Sequence, residues 1–443
     1  MLEGAAAGSP VPSGRRLGID ILIAGLAAVF LYRSLWLPFQ ALRLFDADFQ
    51  NYYQAAARWL AGLSPYEVGR FDYPPLTALI VMPVAWLPYP QARVAWLIVN
   101  WLCLAGSGVV LVRLLGGDRR AALAVVALWA LGGTVPENLV LGQVNPVLLL
   151  LVVAAWWGAR RNRSGLAAMA IGFATALKLW PGVLLAAVAP FHRRRAVAAG
   201  GAAVAFVVLS WLPLLGVPPP HSPTTKDYWL GTPALLNFSL PAVALRLADP
   251  PAAGEALPAS WRSGNDPLAF QLSRGQGLLS AAVAGFLLVM GGAALWLAGR
   301  QQEGTTGTTG TAGTTGGRFK VGDAQLFALA AAVSLALAAS PISWYHYQLL
   351  QLPGLALLAC RWTARATTWR QVLFGLLALA ALADGLTRTD LIGVGSYLGR
   401  YGWTAANLPW LWLSSSLVPI LSLVHFGLQV REMRPQRRFA AVK

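Results

Sequence analysis

The sequence predicts an all-α, polytopic membrane fold, and three observations carry that prediction. Of 443 residues, 57% are hydrophobic and only 12% charged, against about 25% charged in a soluble domain, so the chain lacks a polar coat. Its mean hydropathy is +0.57, and its apolar residues recur in runs of roughly the 17–25 residues that cross a bilayer core. The Lys and Arg residues sit in short loops between these runs, the positive-inside pattern. The formal charge of +17 therefore belongs to a membrane topology rather than to nucleic-acid binding.

Residues 1–16 form a cytoplasmic tail whose Gly, Pro, Ala and Ser content predicts disorder. Arg15 and Arg16 hold the start of the first span, about Leu17–Leu37, inside. No small-residue cleavage site follows, so this span reads as an uncleaved signal anchor. The first outer loop, 38–90, carries Asp46, Asp48, Glu67 and Asp72 in a chain with only 17 acidic residues. Within it, Asp48–Gly62 has apolar and aromatic residues at helical spacing, ended by Ser64-Pro65. The run Leu76–Leu87, bounded by Pro74-Pro75 and Pro88, is too short to span and suits an interfacial helix. Charge supports that choice. If Leu76–Leu87 crossed, Arg119, Arg120 and the later Arg clusters would all fall outside.

Further spans are expected near 91–115, 120–134, 143–158, 165–177, 180–191, 196–216, 277–299, 324–340, 345–361, 370–387 and 408–430. With the first, that makes about twelve, with both termini cytoplasmic. The chain thus divides into an N-terminal membrane module at 17–300, a Gly/Thr linker at 301–317, a C-terminal module at 318–430 and a basic tail at 431–443. The N-terminal module includes a large outer loop, 217–276, rich in Pro and Trp, with room for a short helix or lid. Cys103 and Cys360 both lie in or at the end of apolar segments and read as packing residues rather than a disulfide.

Under this topology the unusual polar motifs share the outer face. They are Asp46 and Asp48, the GQVNP run with Gln143 and Asn145, Lys178 in KLWP, Asn237 and Arg246 in NFSLPAVALR, and Trp344 and His346 in SPISWYHY. Helix packing alone does not place five motifs on one side. Two carboxylates two residues apart can share a divalent ion, or one of them can cap the helix starting near Asp48. Lys178 interrupts an apolar run, where it either snorkels to the headgroups or meets a phosphate. His346 sits among Trp344, Tyr345 and Tyr347, as in an interfacial aromatic belt. His425 reads as a packing or interfacial residue. The chain has no Walker loop, no GxSxG and no CxxC.

DFQNYYQAA, SPYE and FDYPPLTALI, followed by GQVNP, LKLWPGVLL, NFSLPAVALRL and SPISWYHY, resemble the ordered motifs of glycosyltransferase family 87, membrane enzymes of the GT-C class. The resemblance covers roughly residues 17–430. It implies a GT-C-like fold in a bacterial plasma membrane, with its active site on the extracytoplasmic side. It also implies a polyprenyl-phosphate sugar donor, often mannose or arabinofuranose, and a glycan or glycolipid acceptor. The family's catalytic Asp opens a D-x-x-x-Tyr pattern, which here is Asp48 to Tyr52, and its outer His maps onto His346. Tyr345 and Tyr347 stand where the family often has an acidic or His residue.

The residues suit such chemistry. A lipid donor is a reason to build an enzyme into a bilayer, since each buried methylene contributes about 0.8 kcal/mol. Asp48 and His346 are the catalytic candidates, and Lys178 and Arg246 the cations for the donor phosphate. Asp46, Tyr52, Tyr73, Gln143, Asn145, Asn237 and Trp344 are the substrate-binding candidates. No cofactor is expected to be required, although Asp46 with Asp48 offers a place for a divalent metal. The alternative is a transporter or lipid-linked sugar flippase. Transporters usually show inverted repeats and midplane charges, whereas this chain shows no clear repeat and its polar motifs lie at one face.

Overall fold

The computed structural model describes residues 13–36, 38–39, 48–67, 71, 73–161, 163–185, 189, 193–214, 239–249, 272–306, 321–340, 345–363 and 408–433. Every regular element among them is helical, as the apolar runs predict. Helix α1, Ser13–Leu31, continues through a wide π turn, Tyr32–Trp36. There the buried Arg33 donates through Nη1 to the Ala130 carbonyl at 2.6 Å, and Trp101 Nε1 donates to the Ser34 carbonyl at 3.1 Å. The first span is thereby fastened to two later ones.

Helix α2, Asp48–Leu60, buries Phe49, Tyr52, Ala55 and Ala56, the stripe that an i, i+3, i+7 pattern puts on one face. It opens on Asp48, whose negative charge complements the helix N-terminus, and it ends at Gly62 with φ 73°. Helix α3, Pro75–Ala85, packs on α2 and starts with Pro75 in its first turn, where proline is tolerated. Its 11 residues extend about 16 Å, roughly half the hydrocarbon thickness. That length fits the interfacial reading of Leu76–Leu87. Helix α4, Tyr89–Leu114, is long enough to cross.

The next stretch departs from the expected hairpin. Helix α5, Arg119–Leu131, is capped by the Asp118 side chain. It is followed by an eight-residue helix α6, Thr134–Leu141, bent 57° from it, and then by α7, Asn145–Arg160. Spans read at 120–134 and 143–158 therefore enclose a helix that the apolar pattern did not separate. Helices α8, Ser164–Leu177, and α9, Arg193–Trp211, follow, with a tight turn at Trp180–Val183 between them. Helix α10, Leu240–Ala248, is N-capped by Ser239 and supplies the short helix foreseen in 217–276. Helix α11, Arg274–Thr306, runs into the Gly/Thr segment. Helix α12, Val321–Ala339, a tight turn at Tyr345–Gln351, α13, Leu352–Thr363, and α14, Leu408–Met433, complete the described chain.

Small residues set the packing. A Cβ on Gly172 would stand 2.8 Å from the Ala203 nitrogen, and one on Gly158 2.8 Å from the Ala167 nitrogen. Helices α7, α8 and α9 therefore meet backbone to backbone, as small residues allow between membrane helices. Helix α12 is buried on nearly every side from Ala324 to Ala339, as a helix that is apolar all round must be.

The expected number of spans is not reproduced. Among the described residues three helices are long and apolar enough to cross a membrane, Leu17–Trp36, Tyr89–Leu114 and Arg274–Arg300, or four if bent α5–α6 is one span. Five further apolar helices have 10–17 residues. The run read as a span at 345–361 is broken into a tight turn and α13. The segment 370–387 lies outside the described residues. Cys103 is buried, Cys360 partly so, and both are free thiols.

Candidate active site

Asp48 and Tyr52 are one helical turn apart on α2, so both side chains leave the same face. They converge on Gln143. Its Nε2 donates to Asp48 Oδ2, and its Oε1 accepts from Tyr52 Oη at 3.0 Å. The Gln143 backbone is held as well, since its carbonyl accepts from Asn100 Nδ2 at 3.0 Å. Trp96 Nε1 donates to the Gly142 carbonyl at 2.8 Å.

Gly142 makes this approach possible. Its φ of 64° closes α6 in the left-handed region, and a Cβ there would lie 2.6 Å from Phe49 Cβ. Only glycine combines that turn with so close a neighbour. Phe49 in turn stacks on Trp96 and Tyr89, with ring centroids 5.8 and 6.0 Å away. The start of α2 is thus pressed against α4 and the α6–α7 bend.

A second amide organises the cation. Lys178 follows the last residue of α8 in extended conformation. Its Nζ donates to Asn145 Oδ1 at 2.9 Å, Asn145 Nδ2 donates to Asn138 Oδ1 at 2.9 Å, and Asn138 Nδ2 donates to the Thr134 carbonyl at 2.7 Å. The chain has one polarity, because a main-chain carbonyl only accepts. Asn138 therefore fixes which end of the Asn145 amide faces Lys178. Two aromatic faces complete the surroundings, with Tyr347 4.1 Å and Tyr73 5.2 Å from Nζ, the geometry of a cation–π contact. The Tyr73 ring also meets Tyr52 edge-on at 4.9 Å, which joins the carboxylate half of the site to the cationic half.

Lys178 is 5% exposed, so it does not snorkel into solvent. It lies in the hairpin after α8, outside the apolar helices, and burial pulls its ammonium down from 10.5 to about 7, with the nearby Asp48 charge opposing. Near neutral pH such a lysine is divided between its charged and neutral forms. A bound anion would hold it in the charged form.

Six residues singled out from sequence come together here: Asp48, Tyr52, Tyr73, Gln143, Asn145 and Lys178. Arg246 is carried by a different element, α10. It is 2% exposed on α10, which packs against α11, α12 and α14, and burial lowers its pKa. Asp46, Asn237 and Trp344 lie outside the described residues, as does the His346 side chain, although His346 belongs to the turn that carries Tyr347. Sequence reasoning missed Asn138, Asn100, Trp96 and Tyr347. The signal for Asn138 was present, a second amide seven residues before Asn145 in an otherwise apolar stretch.

A carboxylate held by one amide and a buried lysine held by another thus stand in one polar cluster. The chain belongs to glycosyltransferase family 87, whose pattern matches residues 71–319, and it is a glycosyltransferase. It is 26% identical to the polyprenol-phosphate-mannose-dependent alpha-(1-2)-phosphatidylinositol mannoside mannosyltransferase of Mycobacterium tuberculosis, over 96% of this chain and 95% of the relative. It is 34% identical to a polyprenol-phosphate-mannose-dependent alpha-(1-2)-phosphatidylinositol pentamannoside mannosyltransferase of Mycolicibacterium smegmatis, over 32% of this chain and 35% of that one. An alpha-(1->3)-arabinofuranosyltransferase of Mycobacterium tuberculosis is 27% identical over 44% of this chain and 47% of its own length.

Proposed function

We propose that the chain is an inverting glycosyltransferase that moves mannose or arabinofuranose from a polyprenyl-phosphate donor to a glycan or glycolipid acceptor on the extracytoplasmic face. The observation that carries this reading is the convergence of Asp48 on Gln143 and of Lys178 on Asn145, joined through Tyr52 and Tyr73. The relative aligned along nearly the whole chain is named for a polyprenol-phosphate-mannose donor and a phosphatidylinositol mannoside acceptor, which favours the mannose form.

Asp48 accepts the proton of the acceptor hydroxyl, as a general base that typically contributes about 10²–10⁴-fold. The freed oxygen forms a bond to the anomeric carbon from the face opposite the leaving group. The bond from that carbon to the phosphate oxygen breaks, and its electron pair leaves on the polyprenyl monophosphate. Lys178, charged by the anion beside it, meets the developing phosphate charge, for which a point-charge ammonium is suited. Tyr73 and Tyr347 hold the ammonium without adding a competing carboxylate. His346 stands as the second catalytic candidate, Arg246 as a second phosphate cation, and Asp46, Asn237 and Trp344 as substrate contacts. In this scheme Lys178 does the work a divalent metal would otherwise do at the phosphate.

The test is turnover of purified protein in lipid nanodiscs with polyprenyl-phosphate mannose and, separately, polyprenyl-phosphate arabinofuranose, each with a phosphatidylinositol mannoside acceptor. The reading expects release of polyprenyl phosphate coupled to glycolipid extension with one of the two. Turnover with neither donor, alongside transfer from a nucleotide sugar, would overturn it.

A further inference from the structure

A second group of polar side chains lies among the C-terminal helices and the Tyr345–Gln351 turn. Gln348 and Gln351 in the Tyr345–Gln351 turn, Ser334 on α12, and Ser422, His425 and Gln429 on α14 are all buried. Polar residues inside a membrane module are costly, and they commonly mark function.

Gln351 is the centre of this group. Its Nε2 donates to Gln348 Oε1 and, at 2.7 Å, to Ser422 Oγ. Its Oε1 faces His425 Nδ1 at 3.0 Å and Ser334 Oγ at 3.4 Å. A carboxamide has two N–H donors and two lone pairs, so all four are engaged. With the amide in this orientation Oε1 only accepts, which makes Nδ1 the protonated nitrogen of His425. Ser334 Oγ is also 3.3 Å from Gln429 Oε1 and shares its one hydrogen between the two oxygens. One side chain thus ties together α12, α14 and the turn.

The turn needs such ties. It has seven residues in a 3₁₀ conformation, where runs beyond three or four are uncommon because the backbone hydrogen bonds are poorly aligned. It also packs against α6 and α7, the helices that carry Asn138 and Asn145. Tyr347, four residues before Gln351, holds its ring 4.1 Å from Lys178 Nζ.

We propose that Gln351 is a positioning residue for the active site: by cross-linking the turn to Ser334, Ser422 and His425, it keeps the Tyr347 ring over Lys178. Its consequence for turnover rests on the reading of Lys178 as the cation for the donor phosphate. Its consequence for geometry does not.

The experiment uses the full chain in nanodiscs with ¹³Cε-labelled lysine. Only four lysines are present, Lys178, Lys226, Lys320 and Lys443, and loss of one signal in Lys178→Arg assigns Lys178. In the wild type the Tyr347 ring face shifts that signal upfield of its position in Tyr347→Leu. Gln351→Met keeps length without hydrogen bonds, and His425→Gln keeps a polar group at the wrong end of the ring. Both are expected to move the Lys178 signal to its Tyr347→Leu position. Both should raise the donor KM for polyprenyl-phosphate mannose about fivefold, the effect of about one lost hydrogen bond, with kcat within about twofold. His425→Asn, which places an N–H where Nδ1 stood, and Ser422→Thr should retain both wild-type values. A Lys178 signal unmoved in Gln351→Met and His425→Gln overturns the proposal. If Gln351→Met does not fold, His425→Gln and Ser422→Ala decide it by the same readout. A signal that moves while the donor KM holds leaves the positioning role intact and removes Lys178 from the phosphate site.

Discussion

Replacing Asn145 by leucine removes the acceptor of the Lys178 ammonium at nearly constant volume. Asn145 is fully buried, and its Oδ1 accepts from Nζ at 2.9 Å. A hydrogen bond to a charged group contributes about 1.5–3 kcal/mol. Its loss falls mainly on the charged form, because a neutral amine donates more weakly, so at about 1.4 kcal/mol per pH unit the Lys178 pKa drops by about one to two. Starting from about 7, the lysine in Asn145→Leu would titrate near 5–6. A lowered lysine pKa means the cation is present below that value and lost above it. At pH 7 the charged fraction falls from about one-half to between about 10% and 1%, and donor affinity falls with it, by roughly 5–50-fold. A sugar phosphodiester stays anionic throughout, so lowering the pH toward 5 restores binding. The assay pairs the ¹³Cε-lysine titration of the four-lysine chain with equilibrium binding of polyprenyl-phosphate mannose as a function of pH. A Lys178 pKa unchanged or raised in Asn145→Leu would refute the reasoning.

Gly142→Ala must hold an L-residue at φ 64°, at about 1–2 kcal/mol, and must move α2 away, because its Cβ would meet Phe49 Cβ at 2.6 Å. Since about 1 Å of misplacement can cost 10²-fold, transfer should fall by up to about 100-fold while helical content by circular dichroism is retained. Thr77→Val removes the 2.8 Å hydrogen bond from Oγ1 to the Leu177 carbonyl, next to Lys178. It leaves that carbonyl unsatisfied at about 1–3 kcal/mol, so thermal unfolding should occur at lower temperature than in Thr77→Ser.

Much of the site was legible because its residues break strong local patterns. Asp48 and Tyr52 lie at helical spacing in an acidic loop, GQVNP interrupts an apolar run, and Lys178 stands in another. Each draws attention because the membrane makes polar residues costly. What the sequence could not supply is where the apolar runs bend. The 57° break between α5 and α6 falls at Gly132-Gly133, and the turn that closes α6 at Gly142 lies against Phe49, more than 90 residues earlier in the chain, a contact no local window contains. Asn138 falls between the spans read at 120–134 and 143–158, so its amide was visible in the sequence but the helix that aims it at Asn145 was not. The tight turn at 345–351 looks like continuous span in hydropathy, because Leu349 and Leu350 stand between its two glutamines and Leu352 follows them. His425, read as packing or interfacial, is buried and hydrogen-bonded to Gln351. Its partner is 74 residues away, beyond any pattern of period 3.6.

The central claim is that Asp48 removes the acceptor proton while Lys178 holds the donor phosphate. Its most direct test is single-turnover transfer from polyprenyl-phosphate mannose by purified Asp48→Asn, measured beside donor binding and beside Asp46→Asn. The asparagine keeps an oxygen for Gln143 Nε2 and removes only the basicity. The account predicts unchanged donor binding with transfer lowered by at least about 100-fold. Full transfer by Asp48→Asn, with loss confined to Asp46→Asn, would contradict it and move the base two residues upstream.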